Sequence, residues 1–440
     1  MEFGWTKAAK RGVRLSRIQI QGLRPLKGRV SIQGSKNAVL PMMAAAILHR
    51  GVTVLSNVPL IQDVECMKAI LESLGCRCIQ KGGVLEIDAS LLRTTRIPDC
   101  YMKQMRSSII LLGALFGRMG EGSCGYPGGC LIGSRPIDLH LKALSGLGAQ
   151  VEEENLQVQV KAAEGKRPKG GRILLRYPSV GATEQALLGA VLAKGETCIL
   201  GAAREPEIRQ LCRFLKGMGA KIKGEGTESL TVEGVSCSEL HDSYFRIGGD
   251  RIVAGTYMSA VMAATGQIQI CGADLEELKE PVRLFSKAGA GIRQDEKSGD
   301  FLISMRERPK GLIFETSPYP GFPTDLQSPF MAFLAGASGE SQITENVFEA
   351  RFATAGELRK MGARIDVNGR TAYVKGVWPL MGAKVMAGDL RGGAALTVAA
   401  LGAGGITVID GCRHIDRGYE DICRDLSALG ADVRRLDVQE

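Results

Sequence analysis

A segment of about 71 residues recurs six times along this chain, and such a repeat constrains the architecture before any single residue is considered. Its clearest mark is a helix end of the form apolar-x-x-apolar-Gly, followed by a small residue. It stands at Leu71…Leu74-Gly75, Leu144…Leu147-Gly148, Leu215…Met218-Gly219, Phe285…Ala288-Gly289, Leu358…Met361-Gly362 and Leu426…Leu429-Gly430. A second glycine, opening a short strand, keeps the same step at Gly51, Gly122, Gly195, Gly266, Gly339 and Gly405. Each unit begins with an apolar, small-residue helix, as at 39–48, 109–116, 186–193 and 394–401. A strand follows (52–55, 196–199, 406–409), then a loop, then an amphipathic helix ending at the marker glycine, and one or two closing strands such as 84–87 and 230–232. The first helix is apolar nearly all round and belongs inside; the second has a polar face and belongs outside. Three units wrap one core, so six predict an α/β protein of two similar lobes with a cleft between them.

Composition agrees with this. A chain of 440 residues exceeds the usual size of a single core. Apolar content of 45% with only 5% aromatic residues and 57 glycines suits closely approached helices. The longest uncharged run, 392–409, is interrupted by glycine and falls on the repeat's own helix and strand, so it reads as core rather than a membrane span. The basic stretch 7–17 lacks an apolar signal region and reads as a short disordered extension. Twelve irregularly spaced cysteines, mostly within apolar elements, indicate reduced thiols and a cytoplasmic setting. Cys76-x-Cys78 and four scattered histidines form no metal-ligand set, and His49 and His140 read as helix residues facing solvent or already satisfied. Net charge of +9 without a basic helix argues against nucleic acid and fits an anionic small ligand.

Comparing equivalent positions across units filters the cations. Before the buried helices stand Gly34-Ser35-Lys36-Asn37, Lys103-Gln104-Met105-Arg106-Ser107, Ser179-Val180-Gly181, Gly249-Asp250-Arg251, Pro323-Thr324-Asp325 and Asp389-Leu390-Arg391. Before the outer helices stand Arg135-Pro136, Arg204-Glu205-Pro206, Ala350-Arg351 and Asp416-Arg417. A cation at a helix N-terminus opposes the macrodipole, and its recurrence there is explained by a bound anion. Lys36, Arg106, Arg135, Arg391 and Arg417 are therefore expected to hold a polyanion, or two anions, in the cleft. No P-loop sequence and no strand–GxGxxG–helix unit occurs, which argues against NTPase and dinucleotide sites. Unit two carries a longer loop, Tyr126-Pro-Gly-Gly-Cys130-Leu-Ile-Gly-Ser-Arg135-Pro136. Its glycines and nearby Arg135 make Cys130 an accessible thiol of lowered pKa on a mobile lid.

These motifs, with Arg204-Glu-Pro-Glu207, Phe322-Pro-Thr-Asp325 and His414-Ile-Asp-Arg-Gly-Tyr-Glu420, resemble those of the UDP-N-acetylglucosamine 1-carboxyvinyltransferases over residues 16–435. The resemblance implies two inside-out α/β lobes, each of three βαβαββ units. Residues 36–247 would form lobe I with the Cys130 loop; residues 1–35 and 248–440 would form lobe II, including an N-terminal strand. It implies transfer of the enolpyruvyl group of phosphoenolpyruvate to the sugar 3-hydroxyl, opening peptidoglycan precursor synthesis in the cytoplasm. Cys130 would be the acid and Asp325 the base. Lys36, Arg135 and Arg417 would bind phosphate, with Asp389 and Arg391 alongside. UDP-sugar contacts carry over to Asn37, Arg106, Pro136, Ile137, Asp138, Leu139, Ser179, Val180, Gly181, Asp325 and Val347. It implies two small-molecule substrates, susceptibility to fosfomycin at Cys130, and no metal or other cofactor, nucleic acid or membrane insertion; the sequence does not specify an oligomer. The chain departs from the family at Gly392-Gly393 (commonly Ala-Ser), Ala350 (commonly Asn) and Tyr177-Pro178, changes that bear on affinity. The alternatives are a silent paralogue that binds UDP-sugar and the sister transferase acting on shikimate 3-phosphate, which carries Gly-Ser-Lys-Ser where this chain has Asn37.

Overall fold

The computed structural model describes residues 16–128, 133, 136–163 and 167–437. Cys130 and Arg135 lie outside the described residues, as does the basic N-terminal stretch apart from its last two residues. Those two belong to a strand, and Arg17 pairs with Asp410, so the expected extension ends earlier than position 17.

The helices run in chain order as α1 (Lys36–Ala45), α2 (Gln62–Leu74), α3 (Asp99–Gln104), α4 (Leu111–Met119), α5 (Asp138–Ser145), α6 (Val180–Ala190), α7 (Pro206–Gly217), α8 (Arg251–Ala264), α9 (Lys279–Lys287), α10 (Gln327–Ala335), α11 (Thr354–Lys360), α12 (Leu390–Leu401) and α13 (Ile422–Ala428). The apolar helices α1, α4, α6, α8, α10 and α12 are buried along nearly their whole length. The amphipathic helices bury one face. In α7, Ile208, Leu211, Phe214 and Leu215 point inward while Arg213 and Lys216 are exposed. All six marker glycines take positive φ, from 78° at Gly148 to 111° at Gly289, the conformation that lets the chain reverse after each outer helix. The second marker is less uniform: Gly195, Gly266, Gly339 and Gly405 take positive φ, but Gly51 and Gly122 do not.

Each unit contributes a sheet of one plan. A parallel edge strand lies beside the strand that follows the buried helix, and an antiparallel hairpin closes the sheet. Three sheets borrow across the sequence, which local periodicity cannot show: in unit four, Gly266–Cys271 takes its parallel edge from Leu26–Ser31. Val52–Ser56 of unit one takes its parallel edge from Ser243–Arg246, beyond unit three. In unit six, Ser16–Gln21 sits between Ile406–Asp410 and Asp432–Asp437. Unit two has three strands, its missing edge reduced to a bridge between Arg96 and Ser123.

Buried apolar side chains fall into two clusters. One runs from Ala38 to Ile247; the other joins Ile18–Ile32 to Ile252–Val433. The chain crosses between them twice, and the crossings are paired. Gly34 bridges Gly249, the Ser35 N–H donates to Gly248 O (2.8 Å), and the Asp250 N–H donates to Gln33 O (2.9 Å). A Cβ on Gly34 would stand 1.7 Å from Asn57 O, so no side chain fits there. Buried Asp250 then caps α8 through the Ile252 and Val253 N–H groups and also accepts from the Lys36 N–H at the start of α1. One carboxylate thus fixes the first turns of two buried helices across the junction.

Candidate functional site

The N-terminal ends of all six buried-helix segments open on one cleft of about 560 Å³ between the two cores. Lys36 begins α1, Arg106 begins the short 3₁₀ turn leading into α4, and Ser179 caps α6. Arg251 begins α8, Asp325 lies in the 3₁₀ turn before α10, and Arg391 is the second residue of α12. The expectation that both lobes aim these ends at a common cavity is met.

Asn37, Arg106, Pro136, Asp138, Leu139, Ser179, Val180, Gly181, Val347, Asp389 and Arg417 also line the cleft. Ile137 does not; its side chain is 4% exposed and packs in the core. Arg417 is not at an outer-helix start as the pattern suggested. It ends a 3₁₀ turn, Cys412–Arg417, four residues before the α13 cap, Asp421. His49 follows a 3₁₀ turn rather than lying in a helix, and its Nε2 pairs with Asp242 Oδ1 at 2.9 Å. The described cysteines are free thiols, and no metal-ligating cluster occurs among the described residues.

The cations form two knots, each around one aspartate. In the first, buried Asp63 at the start of α2 accepts Lys36 Nζ at 3.2 Å and Arg417 at 2.9 Å (Nε) and 3.3 Å (Nη2). Lys36 and Arg417 come from different core clusters, so Asp63 ties the two sides of the cleft. Burial opposes charge on Asp63, but the two cations outweigh it and hold the carboxyl below its usual range. In the second knot, Asp325 accepts from Arg351 and from Arg391 Nη2 (2.9 Å). Burial again pushes the carboxyl up, and Arg391 with Arg351 overrides it, placing Asp325 far below the carboxylate range.

The same cleft is lined by Glu184, Glu205 and Glu207. Arg251 of α8 meets Glu207 of α7 in a buried bidentate pair (3.1 and 3.3 Å), with the Tyr319 ring 5.8 Å from its guanidinium carbon. The Tyr319 N–H donates to Glu205 Oε1 at 3.3 Å. Glu277 is pushed up to about 7, first by burial and then by Glu207. Glu184 of α6 is raised well above the ordinary glutamate value by burial, Glu207 and Glu205, against Lys36.

Asp63, Arg351 as a partner of Asp325, Glu184 and Glu277 were not among the site residues expected from sequence. A readable signal existed for two of them. Ahead of the marker glycine by 11 to 15 residues, units two, three, five and six carry cations, and the same stretch in units one and four carries Asp63 and Glu277. Glu184 is hidden inside an apolar helix, and Arg351 read only as one more helix-start cation.

A sequence profile described as EPSP synthase (3-phosphoshikimate 1-carboxyvinyltransferase) matches residues 20–426. UDP-N-acetylglucosamine 1-carboxyvinyltransferase 2 of Caldanaerobacter subterraneus subsp. tengcongensis is 45% identical over 424 residues, covering 96% of this chain and all of its own. The UDP-N-acetylglucosamine 1-carboxyvinyltransferase of Trichlorobacter lovleyi is 43% identical over 422 residues, covering 96% of this chain and 99% of its own. Among solved structures, the enolpyruvyl transferase NikO from Streptomyces tendae superposes with a TM-score of 0.86 at 25% identity, covering 97% of this chain and 100% of that one. EPSP synthase from Acinetobacter baumannii gives 0.74 at 18% identity over 97% of this chain and 100% of that one, a likeness of fold alone.

Proposed function

The chain belongs to the EPSP synthase (3-phosphoshikimate 1-carboxyvinyltransferase) family, and on that premise we propose that it transfers the enolpyruvyl group of phosphoenolpyruvate to the 3-hydroxyl of UDP-N-acetylglucosamine, releasing phosphate. Relatives at 41–45% identity over nearly their full length bear the name of that activity. The single observation that carries the reading is the pair of aspartate-centred knots within one cleft. They gather Lys36, Arg417, Arg351 and Arg391 where the phosphate and carboxylate of the donor need fixed cations.

Each knot is a resting arrangement that the donor must rearrange. Asp325, held by two guanidiniums, is a poor base as it stands. When the donor carboxylate draws Arg391 away, the Asp325 carboxyl rises toward the ordinary range and can take the sugar hydroxyl proton, help worth about 10²–10⁴-fold. The new C–O bond forms at C2 of the donor as Cys130 gives its proton to the methylene carbon. Elimination then returns a proton from the new methyl group to the Cys130 thiolate as the C2–O bond to phosphate breaks and the vinyl double bond re-forms. Lys36, Arg135 and Arg417 take the phosphate, with Asp389 and Arg391 beside it. Asn37, Arg106, the 136–139 segment, Ser179, Val180, Gly181, Asp325 and Val347 take the UDP-sugar.

We assign residues 36–247 to lobe I and residues 1–35 with 248–440 to lobe II, closing on the paired crossing at Gly34 and Gly249. No helix among the described residues is long and apolar enough to cross a membrane; both substrates are water-soluble anions, and we place the enzyme in the cytoplasm at the start of peptidoglycan precursor synthesis. The test is phosphate release from phosphoenolpyruvate with UDP-N-acetylglucosamine and, separately, with shikimate 3-phosphate. Release with the first acceptor alone is expected. Release with the second alone moves the chain to the sister activity, and binding of UDP-sugar without release makes it a silent paralogue.

A further inference from the structure

Glu184 lies one turn into α6, is 6% exposed, and lines the cleft. Among the described residues its carboxyl makes no hydrogen bond and no ion pair. Helix α6 packs on α4, on α5, whose His140 lies against Gly181, and on the 3₁₀ turn that begins at Arg106, and the charged groups that act on Glu184 itself come from α1 and α7. From α1 comes Lys36, held by Asp63 of α2 at 3.2 Å. From the start of α7 come Glu205 and Glu207. Glu207 occupies Arg251 of α8 in a bidentate pair, and Glu205 Oε2 is itself buried without a partner. Glu277 is within electrostatic reach of Glu207 and Arg251 and does not line the cleft. A carboxylate at 184 would therefore join several others on a nearly buried stretch of the cleft wall, with no counter-ion of its own among the described residues. The neutral acid avoids that, in line with the strong upward displacement of this group by burial, Glu207 and Glu205.

We propose that Glu184 is a further positioning residue for the transfer reaction, a carboxylic acid whose retained proton leaves Lys36 available to the anionic donor. The inference rests on the reading that the donor phosphate docks at Lys36. While Glu184 is neutral, Lys36 has one carboxylate partner, Asp63, and a net charge to offer. Once Glu184 ionises, Lys36 is shared between two carboxylates and the donor meets a cleft wall that is negative. Ionisation of Glu184 thus weakens donor binding at alkaline pH, acting through Lys36 and without touching the reacting carbon.

The experiment compares the wild-type chain with Glu184→Gln, which keeps the shape and cannot ionise. From about pH 6 to about pH 10, the ratio of the wild-type KM for phosphoenolpyruvate to that of the variant is expected to rise above the Glu184 titration, while loss of the Cys130 proton lowers kcat in both proteins alike. In Glu184→Gln, KM should match the wild type at the acid end and stay low across the range. Binding of inorganic phosphate, the donor-site probe, should show the same divergence without needing turnover. Infrared difference spectra at neutral pH should show a protonated-carboxyl band in the wild type that the variant lacks. A Gln variant whose KM and phosphate affinity follow the wild-type curve, or identical carboxyl bands, overturns the proposal. Absence of turnover in the wild type overturns the transferase reading instead, and the infrared and phosphate measurements still decide the state of Glu184.

Discussion

Replacing Asp63 with asparagine removes the charge that joins the two sides of the cleft and keeps the side-chain volume. The Asp63 side chain is 4% exposed, Lys36 13% and Arg417 27%. Breaking a fully buried pair from one side costs about 3–5 kcal/mol. Solvent reaches Arg417 and screens part of that, so a loss of about 2–3 kcal/mol is expected at neutral pH. The sign of the pH dependence follows from the depressed carboxyl. Its contribution is present above the unfolded value of 3.8 and fades as pH falls through the lower folded value. Urea unfolding at neutral pH and near pH 3 should therefore show a gap between wild type and Asp63→Asn that is wide in the first case and narrow in the second. Inorganic phosphate should restore the variant more than the wild type, because the anion replaces the missing charge between Lys36 and Arg417. A neutral-pH gap under about 0.5 kcal/mol, or a gap that persists unchanged in acid, would refute the keystone role.

Three further outcomes are expected. Cys130→Ala should lower phosphate release by about 10²–10⁴-fold while calorimetric UDP-sugar binding survives, and fosfomycin should add its mass to Cys130 of the wild type; full activity in the variant would remove the acid role. Glu277 sits at about 7 against an ordinary 4.5, so the folded chain holds that proton more tightly and loses stability as pH rises between these values. Glu277→Gln should then unfold at higher urea than wild type above pH 7, by up to about 3 kcal/mol, with little difference near pH 4.5; equal midpoints at both would contradict this. At Gly393 a Cβ would stand 2.5 Å from Ile415 Cγ1, in the 3₁₀ turn that ends at Arg417. Gly393→Ser should cost about 1–3 kcal/mol of stability and raise the KM for phosphoenolpyruvate, and an unchanged KM would show that Arg417 is placed independently of this contact.

Much of this molecule is local enough to read from its letters. The marker glycines announce helix ends because only a residue tolerant of positive φ serves there. Uniformly apolar stretches such as 39–48 announce enclosed helices because any exposed face would carry charge. Charges such as Lys36 and Arg391 could be aimed at a cleft because repeated units place equivalent ends together. The borrowed strands could not be seen this way. Ser243–Arg246 and Ser16–Gln21 pair with partners far along the chain, and alternation within a strand does not record its neighbour. Nor could the balance of charge at the site. Following cations alone finds the groups that bind anions and misses Asp63, Glu184 and Glu277, which decide how much of that positive charge is free.

The strand Ser16–Gln21 has a consequence for how the chain is made. It hydrogen-bonds to both Ile406–Asp410 and Asp432–Asp437, so segments made about 390 residues or more apart are neighbours in one sheet. The apolar cluster ending at Ile247 has all its strands once that residue leaves the ribosome and can collapse mid-translation. Its counterpart waits for Asp432–Asp437, with Ser16–Gln21 unpaired on that side until then. Folding of this enzyme is therefore expected to be sequential, its second core sealed only when Asp432–Asp437 arrives, and that interval is when a chaperone or a neighbouring nascent chain can capture the open edge.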